Sequence, residues 1–294
     1  MKNTIKILFI NLLGILFLIF AIEMILTYVH LRPISHKDTT LKDIYVEKFQ
    51  HYHSPKYISE EEFRKPAYKD TNLEAIILIG SSRTHGYTLP EEECLHTILA
   101  NATNRTVYNL GIAGSSLKET LYLFKERDKT PIQKNQSVKY VIYDYQIDLK
   151  QGIENCKRAV CPRFKQNPNN QTLDLEQNHL FYNSEIYRSL KNIKAKTKSE
   201  METTGIQILY LKEINKEIKK IYGKDTQLVV LDTNEKHDKF LDKFDLGDIK
   251  LLKLDEMTNV NLNSPRYHIS ARDIHPNRKT WEVIVPLLVK KLNL

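Results

Sequence analysis

An apolar run passes directly into a pair of serines in the stretch Ala75-Ile-Ile-Leu-Ile-Gly-Ser-Ser-Arg-Thr-His-Gly86. Its first five residues are apolar and mostly β-branched, which is typical of a strand covered on both faces in a parallel sheet. Because ligands bind beyond the carboxyl ends of the strands in open α/β sheets, we expect Ser81 and Ser82 to face a ligand crevice. The alternative is a plain polar turn, since Gly-Ser-Ser is also ordinary turn sequence.

Strands and helices are predicted to alternate along the rest of the chain. The predicted strands lie at 75–79, 106–110, 138–143, 227–232 and 249–254. The predicted helices lie at about 91–101, 117–127, 211–222 and 279–292. Residues from about 150 to 200 are polar, and we predict an insertion of helices and loops there. The alternation is typical of a layered α/β fold with a parallel sheet.

The first thirty residues contain an apolar segment long enough to cross a membrane. Residues 7–29 are 23 in number and follow Lys2 and Lys6, and about 20 apolar residues span a bilayer. Phe20-Ala-Ile-Glu23 matches a signal-peptide cleavage site poorly, which favours an uncleaved anchor. We therefore predict an anchor over 1–31, a juxtamembrane linker over 32–70 and a folded domain over 71–294. The domain is expected on the extracytoplasmic (periplasmic) side of the cytoplasmic membrane.

Charge and cysteine content exclude several classes of function. The net charge is +8, but neither an aromatic-interleaved strand nor a recognition helix accompanies the lysines at 191–198, so no nucleic-acid partner is expected. A solvated helix face or anionic lipid near the anchor is the alternative. Cys156 and Cys161 are spaced to close a small disulfide loop, and Cys94 is predicted to be a buried apolar residue. No metal and no cofactor are expected.

A histidine that can activate the serine lies near the end of the chain, in Asp273-Ile-His275-Pro-Asn277. A serine hydroxyl is a weak nucleophile until a base takes its proton, and a third group usually fixes the tautomer of that base. Ser82, His275 and Asp273 are the candidates for these roles, and the backbone amides of Ser82 and Gly114 are candidate oxyanion donors. The alternative is that His-Pro-Asn only starts a helix, with Asn277 as its cap.

Three motifs in this order resemble those of the SGNH (GDSL) hydrolase family. Gly80-Ser-Ser82-Arg-Thr-His-Gly86 resembles its first block, Asn109-Leu-Gly-Ile-Ala-Gly114 its second and Asp273-Ile-His275-Pro-Asn277 its last. The resemblance places the nucleophile at Ser82, an oxyanion amide at Gly114 and the base at His275. It implies a three-layer α/β/α sandwich of the flavodoxin-like kind from about Glu74 to the C-terminus.

The sequence departs from the family pattern in three blocks. Ser81 stands where the first block usually has Asp. The third block, usually Gly-x-Asn-Asp, reads Tyr145-Gln-Ile-Asp148, so Ile147 replaces the oxyanion asparagine and Gln146 is the candidate substitute. Loss of one such donor costs about 3 to 4 kcal/mol in other serine hydrolases. Asp273 lies two residues before His275 rather than three, and a backbone carbonyl is the alternative orienting group.

Two further side chains lie beside the candidate nucleophile. Arg83 is expected either to contact an anionic or polyhydroxyl substrate or to be an exposed surface arginine. His85 is expected to form a pocket wall rather than to act as a second base.

The resemblance and the predicted anchor together lead to the hypothesis of an envelope-anchored serine esterase that removes acyl groups, with acetyl preferred, from a carbohydrate. A second hypothesis is an O-acyltransferase that modifies a surface polysaccharide with a membrane acyl-donor partner. A third is an SGNH-like domain that binds a glycan or a partner without catalysis.

Overall fold

The structure is a computed structural model, and it describes most of the chain from Phe63 onward together with a short N-terminal helical segment. The described residues are 11–22, 24–25, 63–70, 72–86, 88–113, 115–125, 132, 136–145, 164–166, 173–175, 200–233, 241–270 and 275–294. Gly114, Gln146, Ile147, Asp273 and both members of the predicted disulfide lie outside these ranges, as do the lysines at 191–198.

Contacts divide the chain into two compact units. The first contains Met1–Tyr57, Arg158–Arg163 and Glu176–Thr197, and its described residues, 11–22 and 24–25, are helical. Over the described parts of the chain, none of the helices has both the length and the apolar character needed to cross a membrane. The rest of the predicted anchor at 1–31 falls outside the described ranges.

The second unit is built on a sheet of five parallel strands. In chain order they are β1 (Ala75–Ile79), β2 (Val107–Asn109), β3 (Val138–Tyr145), β6 (Gln227–Asp232) and β7 (Lys250–Lys253). Their order in the sheet is β2-β1-β3-β6-β7, and every pairing is parallel. This is the doubly wound 2-1-3-4-5 arrangement. The strands β4 (Phe164–Gln166) and β5 (Leu173–Leu175) form a separate antiparallel pair.

Helices cover both faces of this sheet, as the alternation in the sequence predicts. The helices are α1 (Ser82–His85), α2 (Leu95–Thr103), α3 (Leu117–Lys125), α4 (Glu200–Tyr222), α5 (Leu254–Met257) and α6 (Arg278–Leu292). Helix α2 packs against α6, and α3 packs against α4. Ile76 and Leu78 of β1 join a core with Leu99 of α2 and Trp281 of α6. Successive strand residues face opposite sides, so Ile77 and Ile79 face the other helical layer.

Several element boundaries differ from the sequence-based predictions for identifiable reasons. Helix α4 begins at Glu200 rather than at 211. The sequence pattern does not indicate its first half because polar side chains are buried there. Gln207, for example, is buried and accepts a hydrogen bond from the Tyr145 hydroxyl at 3.0 Å. Strand β3 continues past Tyr143 through the buried Asp144, although aspartate is uncommon in strands.

The segment Phe63–Asp70 packs against the domain although the sequence places it in the linker at 32–70. Ala67 forms an antiparallel bridge with Val107 of β2, and Asp70 bridges Arg105. The polar composition of this segment concealed these backbone contacts. The folded domain therefore extends to the N-terminal side of the predicted boundary at residue 71.

Candidate active site

Ser82 lies at the point where the order of the strands reverses. Strand β1 pairs with β2 on one side and β3 on the other, so the order of the strands reverses at β1, which is where open α/β sheets bind ligands. Ser82 follows β1 after two residues, and Asp144 lies in the last part of β3. The structure therefore places Ser82 at the carboxyl end of β1, and the expectation that the serine pair faces a ligand crevice stays a prediction.

The serine turn is a four-residue helix rather than a loop. Ser81 has an extended backbone, Ser82 begins α1, and Gly86 ends it with a left-handed conformation at φ 72°. A Cβ atom at Gly80 would lie 2.1 Å from Thr84 Oγ1, and one at Gly111 would lie 2.6 Å from the backbone nitrogen of His85. Glycine is therefore required at both positions. Helix α1 folds back over Gly80, and it packs directly on the loop after β2, which contains Gly111.

The loop after β2 is hydrogen-bonded to the end of β1. The amide of Leu110 donates to the carbonyl of Leu78 at 2.8 Å, and the amide of Ile112 donates to the carbonyl of Gly80 at 3.1 Å. The Ser115 hydroxyl donates to the same Gly80 carbonyl at 3.0 Å. Residues on both sides of Gly114 are thereby held beside the serine turn. The role of Gly114 itself as an oxyanion donor stays a prediction.

His275 and Ser82 are in hydrogen-bond contact although 193 residues separate them. The distance from His275 Nε2 to Ser82 Oγ is 2.7 Å. This is the separation expected of a general base and the hydroxyl that it activates. The structure thus brings together the two residues that the sequence assigns as nucleophile and base.

Helix α6 and the segment before it fix the backbone of His275. The His275 carbonyl accepts a hydrogen bond from the Ile269 amide at 2.9 Å. Asn277 Nδ2 donates to the carbonyls of Arg266 and His268, each at 2.8 Å, and Asn277 Oδ1 accepts from the Lys279 amide at 3.0 Å. Asn277 is therefore also the N-cap of α6. The motif starts a helix, as the alternative predicted, and it also contains the histidine that contacts Ser82.

A buried carboxylate that the sequence did not single out lies below the serine turn. Asp144 is 2% exposed and accepts a hydrogen bond from the Thr233 hydroxyl at 2.9 Å. Its Oδ2 lies 3.7 Å from Nε of Arg83, whose side chain is 23% exposed. Arg83 is thus partly buried and paired with Asp144, rather than an exposed surface arginine. The sequence did contain a signal for this buried carboxylate, because Asp144 lies near the end of a largely apolar strand.

Cys94 has the role predicted for it. The residue is fully buried next to Gly86, and burial raises the pKa of its thiol to about 11. The thiol is therefore protonated and unreactive at neutral pH.

His96 is buried and held in its neutral form. Its Nδ1 lies 3.1 Å from Asn109 Nδ2, and its Nε2 lies 2.6 Å from Glu91 Oε1. Asn109 Nδ2 is a donor, because Asn109 Oδ1 accepts from the Gly111 amide. Nδ1 of His96 must then be the acceptor and Nε2 the protonated nitrogen. A second proton on the ring would face the Asn109 donor.

Acidification is expected to destabilise the fold through His96. Burial lowers the pKa of His96 below its ordinary 6.5, so the unfolded chain takes up the proton at a higher pH than the folded chain. The contribution to stability is present above pH 6.5 and is lost as the pH falls below it. Urea unfolding at about pH 7.5 and about pH 5.5 measures this loss. His96→Asn, which does not titrate, should lose less stability between the two values, whereas the control His268→Asn should lose as much as wild type. Equal losses in all three proteins would contradict the assignment.

Neither a family model nor a curated protein sequence matches the chain. Solved structures that resemble it include a member of the lipolytic protein G-D-S-L family from Veillonella parvula, with 11% identity, a TM-score of 0.37, and coverage of 74% of this chain and 97% of that one. A protein assigned to the same family from Desulfitobacterium hafniense has 13% identity, a TM-score of 0.40, and coverage of 74% and 99%. A protein assigned as a GDSL-like lipase from Bacteroides ovatus has 12% identity, a TM-score of 0.39, and coverage of 75% and 54%. The α/β architecture itself follows from the strand order and helical layers described above.

Proposed function

We propose that this chain is a serine esterase of the SGNH type that removes acyl groups, with acetyl preferred, from a cell-envelope carbohydrate. The single observation that carries the proposal is the contact of 2.7 Å between His275 Nε2 and Ser82 Oγ. Three features support it further: the position of Ser82 at the strand-order reversal, the tight packing of its turn, and the motifs that resemble the family.

The proposed reaction is acyl transfer through a covalent intermediate. His275 Nε2 takes the proton of the Ser82 hydroxyl as Ser82 Oγ attacks the ester carbonyl, and the tetrahedral intermediate collapses to an acyl-serine as His275 returns the proton to the departing sugar oxygen. Water, deprotonated by His275, then attacks the acyl carbonyl, and His275 returns that proton to Ser82 Oγ as the bond between Oγ and the acyl group breaks and the acid leaves. Asp273 is the proposed orienting carboxylate for the His275 ring.

Backbone amides are the proposed donors to the oxyanion. Ser82 is the first residue of α1, and the amides of a first helical turn have no acceptor within the helix. The Ser82 amide is therefore available to the carbonyl oxygen during attack. Gly114 is the proposed second donor and Gln146 the proposed third, in place of the asparagine that the family pattern leads one to expect.

The envelope substrate and the extracytoplasmic location rest on the N-terminal segment. Residues 7–29 are largely apolar, and the exposed large apolar side chains of the described residues lie at 12–25, with Tyr68 as the exception. Such side chains favour a membrane interior over water. An enzyme anchored in this way would reach substrates that are immobile or close to the membrane surface.

Labelling with a serine-reactive fluorophosphonate tests the proposal. The full-length chain in detergent is expected to be modified at Ser82, as peptide mass spectrometry would show, and to release acetate from an acetylated oligosaccharide. An added oligosaccharide acceptor separates hydrolysis from transfer, because a transferase would yield acylated acceptor instead of free acid. A folded protein in which Ser82 stays unlabelled would refute the esterase and favour the binding domain.

A further inference from the structure

The helix that carries Ser82 is too short to hold itself in place. Helix α1 spans only Ser82–His85, and its backbone hydrogen bonds are those of the His85 amide to the Ser81 carbonyl and of the Gly86 amide to the carbonyls of Ser82 and Arg83. An isolated helical turn is unstable in water because few hydrogen bonds offset the ordering of its backbone. The last carbonyl groups of a helix also receive no hydrogen bond from an amide within the helix. Other parts of the protein must therefore fix this turn.

Arg64 supplies the first part of this support, from a segment that the sequence assigned to the linker. Its Nε donates to the His85 carbonyl at 3.1 Å, and its Nη2 donates to the carbonyls of Gly86 at 2.7 Å and Leu89 at 3.0 Å. A guanidinium group has five donors in a rigid planar arrangement, so one side chain holds three carbonyl groups in fixed positions. The Arg64 side chain is 22% exposed, which leaves these bonds partly shielded from water.

A connected series of side chains leads from Arg64 back to the same helix. Arg64 Nη1 pairs with Glu91 Oε2 at 3.2 Å, and Glu91 Oε1 accepts from His96 Nε2 at 2.6 Å. His96 accepts from Asn109 Nδ2, which also donates to the Thr84 carbonyl at 2.8 Å. His96 and Asn109 are fully buried, where hydrogen bonds are costly to leave unmade.

We propose that Arg64, Glu91, His96 and Asn109 are positioning residues that hold the turn of Ser82 at the correct distance from His275. We call these four residues the turn clamp. The hydrogen bonds of the clamp described above reach the carbonyls of Thr84, His85 and Gly86, not the Ser82 hydroxyl. Its effect on the reaction is therefore indirect, and its role rests on the proposed function of Ser82. A displacement of about 1 Å at a reacting group can reduce a rate by about 10².

Removing Arg64 tests the clamp, and the chain contains a matched control. The guanidinium of Arg105 also donates to a backbone carbonyl, that of Glu74, at 2.9 Å. This contact lies at the amino ends of β1 and β2, whereas Ser82 follows the carboxyl end of β1. Arg64→Met is expected to lower kcat for a chromogenic acetyl ester by about 10- to 100-fold, with KM changed by less than about threefold. Arg105→Met should keep kcat near the wild-type value. Fluorophosphonate titration normalises each rate to the number of competent sites, so a loss of folded protein does not register as a loss of kcat.

Two further measurements distinguish positioning from general stabilisation. Free guanidinium ion at low concentration is expected to restore part of kcat in Arg64→Ala but not in Arg64→Met, because only the alanine variant leaves space for the ion. Nitrogen NMR of His275 should report loss of the hydrogen bond to Ser82 in Arg64→Met and its retention in Arg105→Met. The NMR measurement requires no turnover.

The outcomes separate the clamp from the esterase assignment. If the wild-type chain hydrolyses no ester but the His275 signal depends on Arg64, the clamp stands and the esterase assignment falls. If the wild type is active and Arg64→Met keeps both wild-type kcat per site and the His275 signal, the clamp is overturned while the esterase assignment remains.

Discussion

Ser82→Ala is expected to lower kcat for ester hydrolysis by about four to six orders of magnitude, the range seen when the nucleophile of a serine hydrolase is removed. The hydroxyl that contacts His275 is the protein group that forms a bond to the substrate carbonyl in the proposed reaction. Alanine removes it without adding volume, so the fold should be retained. Initial rates with a chromogenic acetyl ester, together with the thermal unfolding midpoint of each protein, measure the two quantities separately.

Ser81→Ala is the matched control because Ser81 precedes the nucleophile and is 3% exposed. Within the part of the chain that the structure describes, its hydroxyl has no hydrogen-bond partner. The loss of this group should therefore change kcat by less than about threefold, since no interaction is broken. A loss in Ser81→Ala as large as that in Ser82→Ala would mean that the wrong serine has been assigned.

His275→Ala is expected to lower kcat by a similar factor of about 10⁴ to 10⁶, because Ser82 would have no base to accept its proton. The two residues act as one unit, so the double variant Ser82→Ala/His275→Ala should be no slower than either single variant. Rates of the single and double variants, measured with the same ester, give this comparison directly.

His268→Ala serves as the control for the histidine. The backbone of His268 supports the loop through its carbonyl, which accepts from Asn277 Nδ2 at 2.8 Å, and that interaction does not depend on the His268 ring. Its kcat should stay within about threefold of wild type. Additive losses in the double variant would argue against a Ser82–His275 pair, since independent groups contribute separately to the barrier.

The parts of the fold that local sequence encodes were predictable. Residues 75–79 and 227–232 are short apolar runs, and both strands begin and end where the pattern indicated. His275 was identified by a motif rather than by periodicity, because its contact with Ser82 joins distant parts of the chain. Its proximity to Ser82 was therefore expected only from the resemblance of that motif to the last block of the family.

The supporting residues were not predictable, because their partners are distant and their types are common. Arg64 lies in polar sequence with no periodic pattern, and its acceptors are backbone carbonyls, which carry no signal in the sequence. His96 lies within the helix predicted at 91–101, and that pattern does not indicate that His96 is fully buried and bonded to Asn109. Helix α1 was expected to be a loop, since four residues are too few to show a helical period.

The antiparallel contact of Ala67 with Val107 and the position of Arg64 bear on how the protein can be produced. A fragment that starts at residue 71, where composition places the end of the linker, would lack the bridge between Ala67 and the edge strand β2. It would also lack the Arg64 guanidinium, which donates a hydrogen bond to the Gly86 carbonyl. Such a fragment retains Ser82 and His275 and would still be a poor enzyme. A shortened chain should therefore begin before Phe63, so that Arg64 and Ala67 are kept together with the strands and helices that they contact.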